Sequence, residues 1–310
     1  MDATVAAVTM LEDNPLFNSA KGAVFNIEGK IELETSLMVT RPPPSSTEIP
    51  ASRRGLGLSL LTRTKNPSQV VRALYLSPAL APHSFLSGRT AENIAESLGQ
   101  TLVDPSYFFT EHRWKEHRRG LGLPDQPLEG DYTDYPNGIN LPLPLDQLPT
   151  GTVGAVALDM DGCIATLTST GGRTNKLVGR VGDTPVMGAG FWAEEWIQSN
   201  WIRNICSKLT GRDYTKRAVG VSGTGDGDYF IRQATAVTIA HRVRYLNETL
   251  EKAANRAVQD LVKDGGIGGV IAVDNRGNVS MPLNCPGMYR GVIREDGVPR
   301  TAIFKDEEVS

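Results

Sequence analysis

Two apolar segments, "VGAVALD" (153–159) and "CIATLTS" (163–169), are separated by an Asp161-Gly162 pair. An Asp-Gly pair between two apolar runs predicts a β-hairpin. The preceding residues, 121–151, are dense in Pro, Gly, Asp and Asn and show no periodicity. A structureless stretch of this length is uncommon inside a compact domain, so it is either functional or a linker. The pattern predicts a flexible segment that leads directly into a rigid strand, with Thr152 at the head of that strand.

The rest of the chain alternates between helical and strand patterns. Strands, then helices, then strands occur in both halves, which predicts an α+β fold with mainly antiparallel sheets. The helix at 2–12 has no N-cap residue and is expected to be cut off at its start. We interpret the charged segment 110–120 as a solvated helix face rather than an anion site. The remaining predicted elements are helices at 67–76, 90–99, 229–245 and 248–263, strands at 56–62 and 217–223, a hairpin at 22–39 turning at Glu28-Gly29-Lys30, a pair of strands at 268–274 and 278–284 joined at Arg276-Gly277, a loop at 40–55 and a glycine-rich segment at 171–190.

Composition excludes several classes of function. The 310 residues carry a formal net charge of −3, so nucleic acid is not an expected partner. No window reaches the roughly 18 to 20 apolar residues that span a bilayer, and the first residues lack the basic region of a signal peptide. The cysteines Cys163, Cys206 and Cys285 are odd in number and far apart. They predict no disulfide framework and no zinc site, and they fit a reducing, cytoplasmic location.

The histidines and acidic residues offer little catalytic chemistry. None of the four histidines lies in a motif, so a Ser-His-Asp or Cys-His site has little support. No His/Asp/Glu group has the spacing of metal ligands. A threonine can act without these groups if it is an N-terminal residue, because its own α-amine then serves as the base. Cleavage of the Gly151–Thr152 bond would create that terminus, and Gly151 can adopt backbone geometries that other residues avoid. The alternative is that Thr152 only begins a strand, for which its β-propensity suffices.

The order of several motifs resembles one enzyme family. The segment "GTVGAVALDMDGCIATLTSTGGRTNKLVGRVGDTPVMGAG" resembles the cleavage and active-site segment of the isoaspartyl peptidase/L-asparaginase family, which are N-terminal-nucleophile hydrolases of the threonine type. "LEDNPLFNSAKGAVFNIEGKIELETSLM" resembles the family's cation-binding loop and hairpin, "VSGTGDGDYFIR" its oxyanion segment, and "GGIGGVIAVDNRGNVSMPLNCPGMYR" its C-terminal hairpin. The resemblance covers most of the chain and implies a four-layer αββα sandwich of mainly antiparallel sheets.

The resemblance also implies roles for individual residues. Thr152 is the expected nucleophile, released by cleavage after Gly151, with Thr170 beside it to tune its hydroxyl. Arg180 and Asp183 are expected to hold the α-carboxylate and α-ammonium of an amino-acid substrate. Without the resemblance, Thr170 is interpreted as a β-branched strand residue at a turn. Arg180 and Asp183 are then interpreted as a surface ion pair. The remaining expected site residues are Thr224 and Gly225 as the oxyanion hole, Gly227 for close approach of the substrate, and the active-site asparagine Asn18.

No cofactor is expected for catalysis, but the family's loop implies a structural sodium ion. Its expected ligands are backbone carbonyls, those of Leu11, Glu12, Asn14, Phe17, Ser19 and Lys21. The resemblance further implies an α-subunit (1–151, ending in the flexible 121–151 tail), a β-subunit (152–310), one composite domain, and a homodimer of such αβ units.

The expected reaction is hydrolysis of L-asparagine or of β-aspartyl dipeptides to aspartate through a β-aspartyl ester on Thr152. Four departures from the family pattern oppose it, the first of which is an additional Pro/Ser-rich stretch at 40–54. The strand ending in "HGGAG" is absent before Met1, segment 196–218 is longer than expected, and Ala20 replaces a usual glycine. The alternatives are a non-catalytic or immature truncated homologue and, with less support, a glycosylasparaginase or taspase-like activity.

Overall fold

The structure is a computed structural model that describes residues 1–124, 151–198, 215–307 and 309. The predicted tail at 121–151 and the long segment at 196–218 therefore lie largely outside the described residues. The helices are α1 (Asp2–Glu12), α2 (Pro67–Tyr75), α3 (Gly88–Ser97), α4 (Glu111–Gly120), α5 (Gly227–Gln233), α6 (Thr235–Tyr245) and α7 (Leu250–Lys263). The strands are β1 (Leu33–Val39), β2 (Gly55–Leu61), β3 (Phe85–Ser87), β4 (Val153–Leu158), β5 (Ile164–Thr170), β6 (Phe191–Ile197), β7 (Lys216–Gly225), β8 (Gly268–Asp274), β9 (Val279–Ser280), β10 (Gly287–Ile293) and β11 (Pro299–Phe304).

The first sheet has the order β3-β2-β1-β5-β4 and is antiparallel except at β2–β3. The hairpin β4–β5 turns at Asp161-Gly162 as predicted. The side chain of Asp159 closes that turn by accepting hydrogen bonds from the backbone N–H groups of Asp161 and Cys163. Helices α1, α2 and α3 cover one face of this sheet. Val8, Val70, Leu33, Leu37 and Leu167 belong to the buried cluster between them.

The second sheet has the order β6-β7-β8-β9 and is antiparallel throughout. Helices α6 and α7 pack on its outer face, where Val221, Val258 and Leu261 are among the buried residues. Its inner face packs against the first sheet, because β4 and β5 contact β7. The order of layers is thus helix, sheet, sheet, helix, which confirms the expected αββα sandwich.

The side chains between the two sheets are mainly small or polar. Alternation along a strand places Thr166, Thr168 and Thr170 of β5 on the inner face, while Leu167 packs under the helices. Thr168 Oγ1 lies 2.8 Å from Ser222 Oγ of β7, so the two sheets are joined directly by hydroxyls. A β-carbon at Gly154 would collide with the Ser222 hydroxyl. Glycine at this position is what lets the sheets approach so closely.

Four predictions about secondary structure are wrong in detail. The 22–39 hairpin has its turn but no first strand, because residue Asn26 forms only an isolated bridge with Lys176. The predicted strand at 278–284 is ordered as a strand only at β9. The face of α4 is not fully solvated, since Arg113 and His117 are buried. Finally, the predicted helix at 229–245 is split in two, and β3, β6, β10 and β11 were not predicted.

The split between α5 and α6 occurs at Ala234, whose backbone is left-handed at φ 48° and ψ 50°. Alanine pays a steric penalty there that glycine avoids. We therefore expect Ala234→Gly to raise the free energy of unfolding by about 0.5 to 1 kcal/mol. The matched control Ala240→Gly, inside α6, should lower that energy by about 1 kcal/mol or more. Urea denaturation checks both signs, and destabilisation by Ala234→Gly would contradict this explanation of the break.

Candidate functional site

Thr152 lies at the head of β4, half-buried at one end of the cleft between the two sheets. Its backbone N–H donates a 2.6 Å hydrogen bond to the hydroxyl of Thr224 on β7. The β4–β5 register pairs Val153 with Ser169, so its continuation sets Thr152 beside Thr170. The structure thus brings together the three predicted site threonines, contributed by two facing sheets.

Gly151 has a steric rather than a conformational reason to be glycine. It is not among the glycines with positive φ, so the unusual backbone geometry expected from the sequence is not what the structure uses. A β-carbon at position 151 would lie 2.7 Å from Thr224 Oγ1. Any side chain there would push Thr224 away from the Thr152 nitrogen. The lack of a side chain at Gly151 therefore allows the Gly151–Thr152 peptide bond to lie in close contact with Thr224 of β7.

Thr170 is buried at the C-terminal end of β5, on the inner face of the sheet. Its hydroxyl oxygen accepts a 3.0 Å hydrogen bond from the N–H of Gly172. A hydroxyl that accepts in this way retains its proton for donation elsewhere. Across the sheet, the β1–β5 register places Glu34 opposite Thr170. Glu34, Thr170 and Thr152 therefore form one row across three strands, with their side chains on the same face.

Asn18 fixes the turn that follows Thr170. The side-chain Nδ2 of Asn18 donates to the carbonyl of Gly172 at 2.7 Å, and the backbone carbonyl of Asn18 accepts from the N–H of Gly171 at 3.1 Å. Its side-chain oxygen also accepts from the N–H of Val24 at 3.1 Å. The predicted active-site asparagine thus holds the glycine pair next to Thr170 and ties it to the loop that follows α1.

The end of β7 and the start of α5 form the opposite wall. Gly225 has φ 142°, and a β-carbon there would collide with the backbone of Ile267. Gly227, the first residue of α5, lies against Asp183, and a β-carbon there would strike Asp183 Oδ1. The two glycines thus let the chain pass close to β8 and to the Asp183 carboxylate. The distance from Thr152 N to Thr224 Oγ1 shows that this wall also borders the threonine row.

Arg180 and Asp183 do not pair with each other. Arg180 Nη2 lies 3.1 Å from Asp228 Oδ1, near the start of α5, with the arginine side chain 17% exposed. Asp183 is buried, and among the described residues its Oδ2 has no hydrogen-bond partner. Burial, together with the charge of Glu34, raises the pKa of Asp183 to about 7. A buried carboxylate with an unsatisfied oxygen can accept a cationic group of a ligand, and its shifted pKa is typical of functional sites.

The predicted cation loop follows α1 and is closed by its own backbone. Four of its six expected ligand carbonyls already accept an N–H: those of Leu11, Asn14, Phe17 and Ser19. Each carbonyl keeps a second lone pair, and oxygen donors suit a hard cation such as sodium, so the residues present fit the ion. The Glu12 and Lys21 carbonyls complete the expected set. In the described part of the chain, no cluster of His, Cys, Asp or Glu could hold a metal by side chains.

Three further features of this loop bear on how it is held. Ala20, which replaces the usual glycine, is buried with φ 44°, so the loop keeps a left-handed residue despite the methyl group. The guanidinium of Arg113 on α4 donates to the carbonyls of Gly22 at 2.9 Å and Leu16 at 3.2 Å. At the end of α1, where the loop begins, the carboxylate of Glu12 accepts from the hydroxyls of Ser68 and Ser169. The loop is therefore anchored to α2, α4 and β5.

Sequence reasoning missed Glu34, Lys176 and Asp228. Glu34 stands in an ordinary strand pattern, and only its register opposite Thr170 shows that it faces the site. Asp228 carried a signal, since it follows directly on the glycine-rich "SGTGDG". Lys176 is buried and donates to the carbonyl of Glu32 at 2.7 Å. A lone lysine in a glycine-rich segment gave no sign that it would be buried.

Comparison with known proteins decides the family. The model of the family described as asparaginase matches residues 1–198 and 210–303 of this chain. This chain belongs to the asparaginase family. It is 36% identical to the isoaspartyl peptidase of Escherichia coli over 309 residues, covering 99% of this chain and 83% of that protein. It is 34% identical to the isoaspartyl peptidase of Salmonella typhimurium, covering 99% and 84% of the two chains.

A mammalian relative shows the same likeness. The chain is 34% identical to the isoaspartyl peptidase/L-asparaginase of Mus musculus, covering 90% of this chain and 70% of that protein. Membership of the asparaginase family makes the chain a hydrolase by ancestry and confirms the resemblance read from its motifs. Among the described residues, no helix has the length and apolar character required to cross a membrane.

Proposed function

We propose that this chain is an autocleaving threonine amidohydrolase that converts L-asparagine, β-aspartyl dipeptides or both to aspartate. The observation that carries the proposal is the 2.6 Å hydrogen bond from the Thr152 nitrogen to Thr224, formed at the end of a row that also contains Thr170. This contact supports the proposal that Thr152, once it is N-terminal, uses its own amine as a base.

The proposed maturation step converts one chain into two. The Thr152 hydroxyl oxygen attacks the carbonyl carbon of Gly151, the C–N bond breaks, and the nitrogen of Thr152 takes up the proton. Water then hydrolyses the resulting ester, leaving a carboxylate on Gly151 and an α-amine on Thr152. Close packing of Gly151 against Thr224 supports this step, since it holds the bond rigidly near a hydroxyl donor.

The proposed turnover repeats the same chemistry on substrate. The Thr152 amine accepts the proton of its hydroxyl as the oxygen attacks the side-chain amide carbon, and the proton then passes to the leaving amine or ammonia. In this proposal the hydroxyl of Thr224 and the N–H of Gly225, both at the end of β7, donate to the oxyanion. Water resolves the β-aspartyl ester to aspartate. An unperturbed α-amine has a pKa of roughly 8, so a useful fraction is neutral near pH 7.

Recognition of the substrate is assigned to Arg180 and Asp183, with Gly227 allowing its close approach. The guanidinium suits bidentate binding of an α-carboxylate, and the buried Asp183 oxygen suits an α-ammonium. Asn18 would hold the Gly171-Gly172 turn that borders this pocket. A small zwitterionic substrate satisfies both groups at once, which disfavours a taspase-like endopeptidase.

The test is a hydrolysis assay with matched substrates. We expect the purified protein to release ammonia from L-asparagine or aspartate from a β-aspartyl dipeptide, and to leave an α-aspartyl dipeptide of the same composition intact. N-acetyl-asparagine should also be left intact, because it lacks the α-ammonium group. Absence of any release from the first two substrates would favour the non-catalytic homologue. Release only from a glycosylated asparagine would favour a glycosylasparaginase.

We further propose a structural sodium ion in the loop that follows α1, held by the six backbone carbonyls named above. Bound there, it would order the loop that carries Asn18. We expect the melting temperature to be several degrees higher in sodium chloride than in choline chloride of equal ionic strength, since an ion that binds the folded state stabilises it by mass action. Equal melting temperatures in the two salts would contradict the site.

The proposal also covers the subunits, the oligomeric state and the location of the protein. The break divides one composite domain into an α-subunit (1–151) and a β-subunit (152–310), and two αβ units form a homodimer. A reducing, cytoplasmic location is supported by the thiols of Cys163 and Cys285, which are both free. Size-exclusion chromatography with light scattering tests the dimer.

A further inference from the structure

Behind the proposed substrate pocket lies a cluster of buried charges. It contains the carboxylates of Glu34 and Asp183, the ammonium of Lys176 and the guanidinium of Arg180. Glu34, Asp183 and Lys176 are each at most 5% exposed. Buried charges are costly unless they are paired or act on a ligand. The stability of the fold alone therefore does not explain this cluster of buried charges.

Glu34 connects this cluster to the segment that carries Arg180 and Asp183. Its Oε1 accepts the N–H of Gly182 at 2.8 Å, which fixes the backbone between the two binding residues. Its Oε2 is buried and has no hydrogen-bond partner among the described residues. A β-carbon at Gly182 would lie 2.8 Å from Arg180 Nη1 and 3.0 Å from Glu34 Oε2. The two charged atoms thus flank the same small space, which exists because residue 182 is glycine.

The carboxylate oxygens of Glu34 and Asp183 that have no hydrogen-bond partner among the described residues indicate a site that can bind a zwitterion. Glu34 and Asp183 each keep one buried oxygen without a partner, while Arg180 has Asp228 on one side and the Glu34 charge on the other. An α-ammonium group placed at Asp183 would satisfy part of this excess of acceptors. An α-carboxylate at Arg180 would balance the added positive charge.

We propose that Glu34 is a positioning residue for substrate recognition, holding Arg180 and Asp183 in the geometry that receives the α-carboxylate and α-ammonium of one amino-acid substrate. This rests on the proposed function, because it deepens the role of the same pocket. Glu34 acts through Gly182 and through its charge, and it takes no part in the bond-breaking steps at Thr152. Its removal should therefore change KM more than kcat.

The charged groups around Asp183 and Glu34 determine the expected pH dependence of substrate binding. Asp183 faces Glu34, Arg180 and Asp228, and Glu34 faces Lys176, Arg180 and Glu32. Binding of an α-ammonium requires ionised Asp183, so affinity should fall as the pH drops below its pKa of about 7. Removing the negative charge of Glu34 lowers the pKa of Asp183. The acid limb of kcat/KM should then move to lower pH.

The experiment compares Glu34→Gln with the parent enzyme between pH 5.5 and 8.5. At pH 8, KM for L-asparagine should rise about tenfold or more, as expected for loss of one charge-assisted contact, with kcat within about threefold. The acid limb of kcat/KM should lie at lower pH than in the parent. Glu34→Asp, which keeps the charge, should restore the limb. An unchanged KM together with an unmoved limb would overturn the proposal.

The matched control is Glu194→Gln. Glu194 is also a buried carboxylate with an unpartnered oxygen, but it lies on β6 and pairs with Arg244 of α6. This variant should keep the parent's KM and acid limb. If both variants lose activity alike, Glu34 is only a structural residue.

Calorimetric binding of L-aspartate separates this proposal from the proposed function. A parent protein that binds L-aspartate but turns over no substrate would refute the function alone. Glu34→Gln would then be expected to weaken binding, and equal affinity in the two proteins would refute the role of Glu34.

Discussion

Replacing Thr152 with alanine is expected to leave a single uncut chain and to abolish turnover. The variant removes the only oxygen that attacks in both proposed steps, the cleavage after Gly151 and the attack on substrate. Loss of a catalytic nucleophile typically costs on the order of 10⁴-fold or more in kcat. Denaturing gels report the cleavage, and ammonia release from L-asparagine reports the turnover.

Thr152→Ser is the matched control for that variant. Serine keeps the hydroxyl and, after cleavage, the α-amine, so two chains and measurable activity should remain. It loses the β-branch that restricts the rotamer of threonine, so a slower rate is expected. Cleavage and turnover that persist in Thr152→Ala would show that the nucleophile has been assigned to the wrong residue.

Replacing Thr224 with valine is expected to lower kcat by about 10² to 10³-fold, the usual cost of removing one oxyanion donor. Valine has nearly the shape of threonine, so packing against Gly151 is kept while the hydroxyl is lost. KM should change little because Arg180 and Asp183 are untouched. Cleavage after Gly151 should also slow, since the hydroxyl lies 2.6 Å from the Thr152 nitrogen.

Ser222→Ala serves as the comparison for Thr224→Val. Ser222 lies two residues earlier on the same strand, and its hydroxyl meets Thr168 in the space between the sheets. Its loss should cost about 1 kcal/mol of stability and leave kcat within about tenfold of the parent. An equal fall of kcat in the two variants would contradict a specific role for Thr224.

Elements defined by local chemistry could be predicted from the sequence. The β4–β5 hairpin was placed within one residue, because Asp161-Gly162 and the side chain of Asp159 encode the turn directly. The turn of the 22–39 segment was also correct, since Asn26 accepts the N–H groups of Glu28 and Lys30. The prediction of a first strand in this segment was wrong, because Asn26 pairs with the distant residue Lys176 and not with the strand that follows it in the chain.

Features that depend on tertiary register could not be predicted. The break at Ala234 replaces a helix by two, although alanine is the strongest helix former, because packing decides that backbone. The place of Glu34 beside Thr170 follows only from the pairing of β1 with β5. The ion pair between Arg180 and Asp228, which reaches it from α5, was not predicted either. These contacts join residues that are far apart in sequence, and no local pattern encodes them.

Intact mass spectrometry of the purified wild-type protein tests whether the chain cleaves itself before Thr152. A break after residue 151 gives chains of 151 and 159 residues, and the second chain should begin at Thr152 with a free α-amine. We expect these two masses together with ammonia release from L-asparagine or aspartate release from a β-aspartyl dipeptide. A single mass for all 310 residues, without hydrolysis of either substrate, would contradict it.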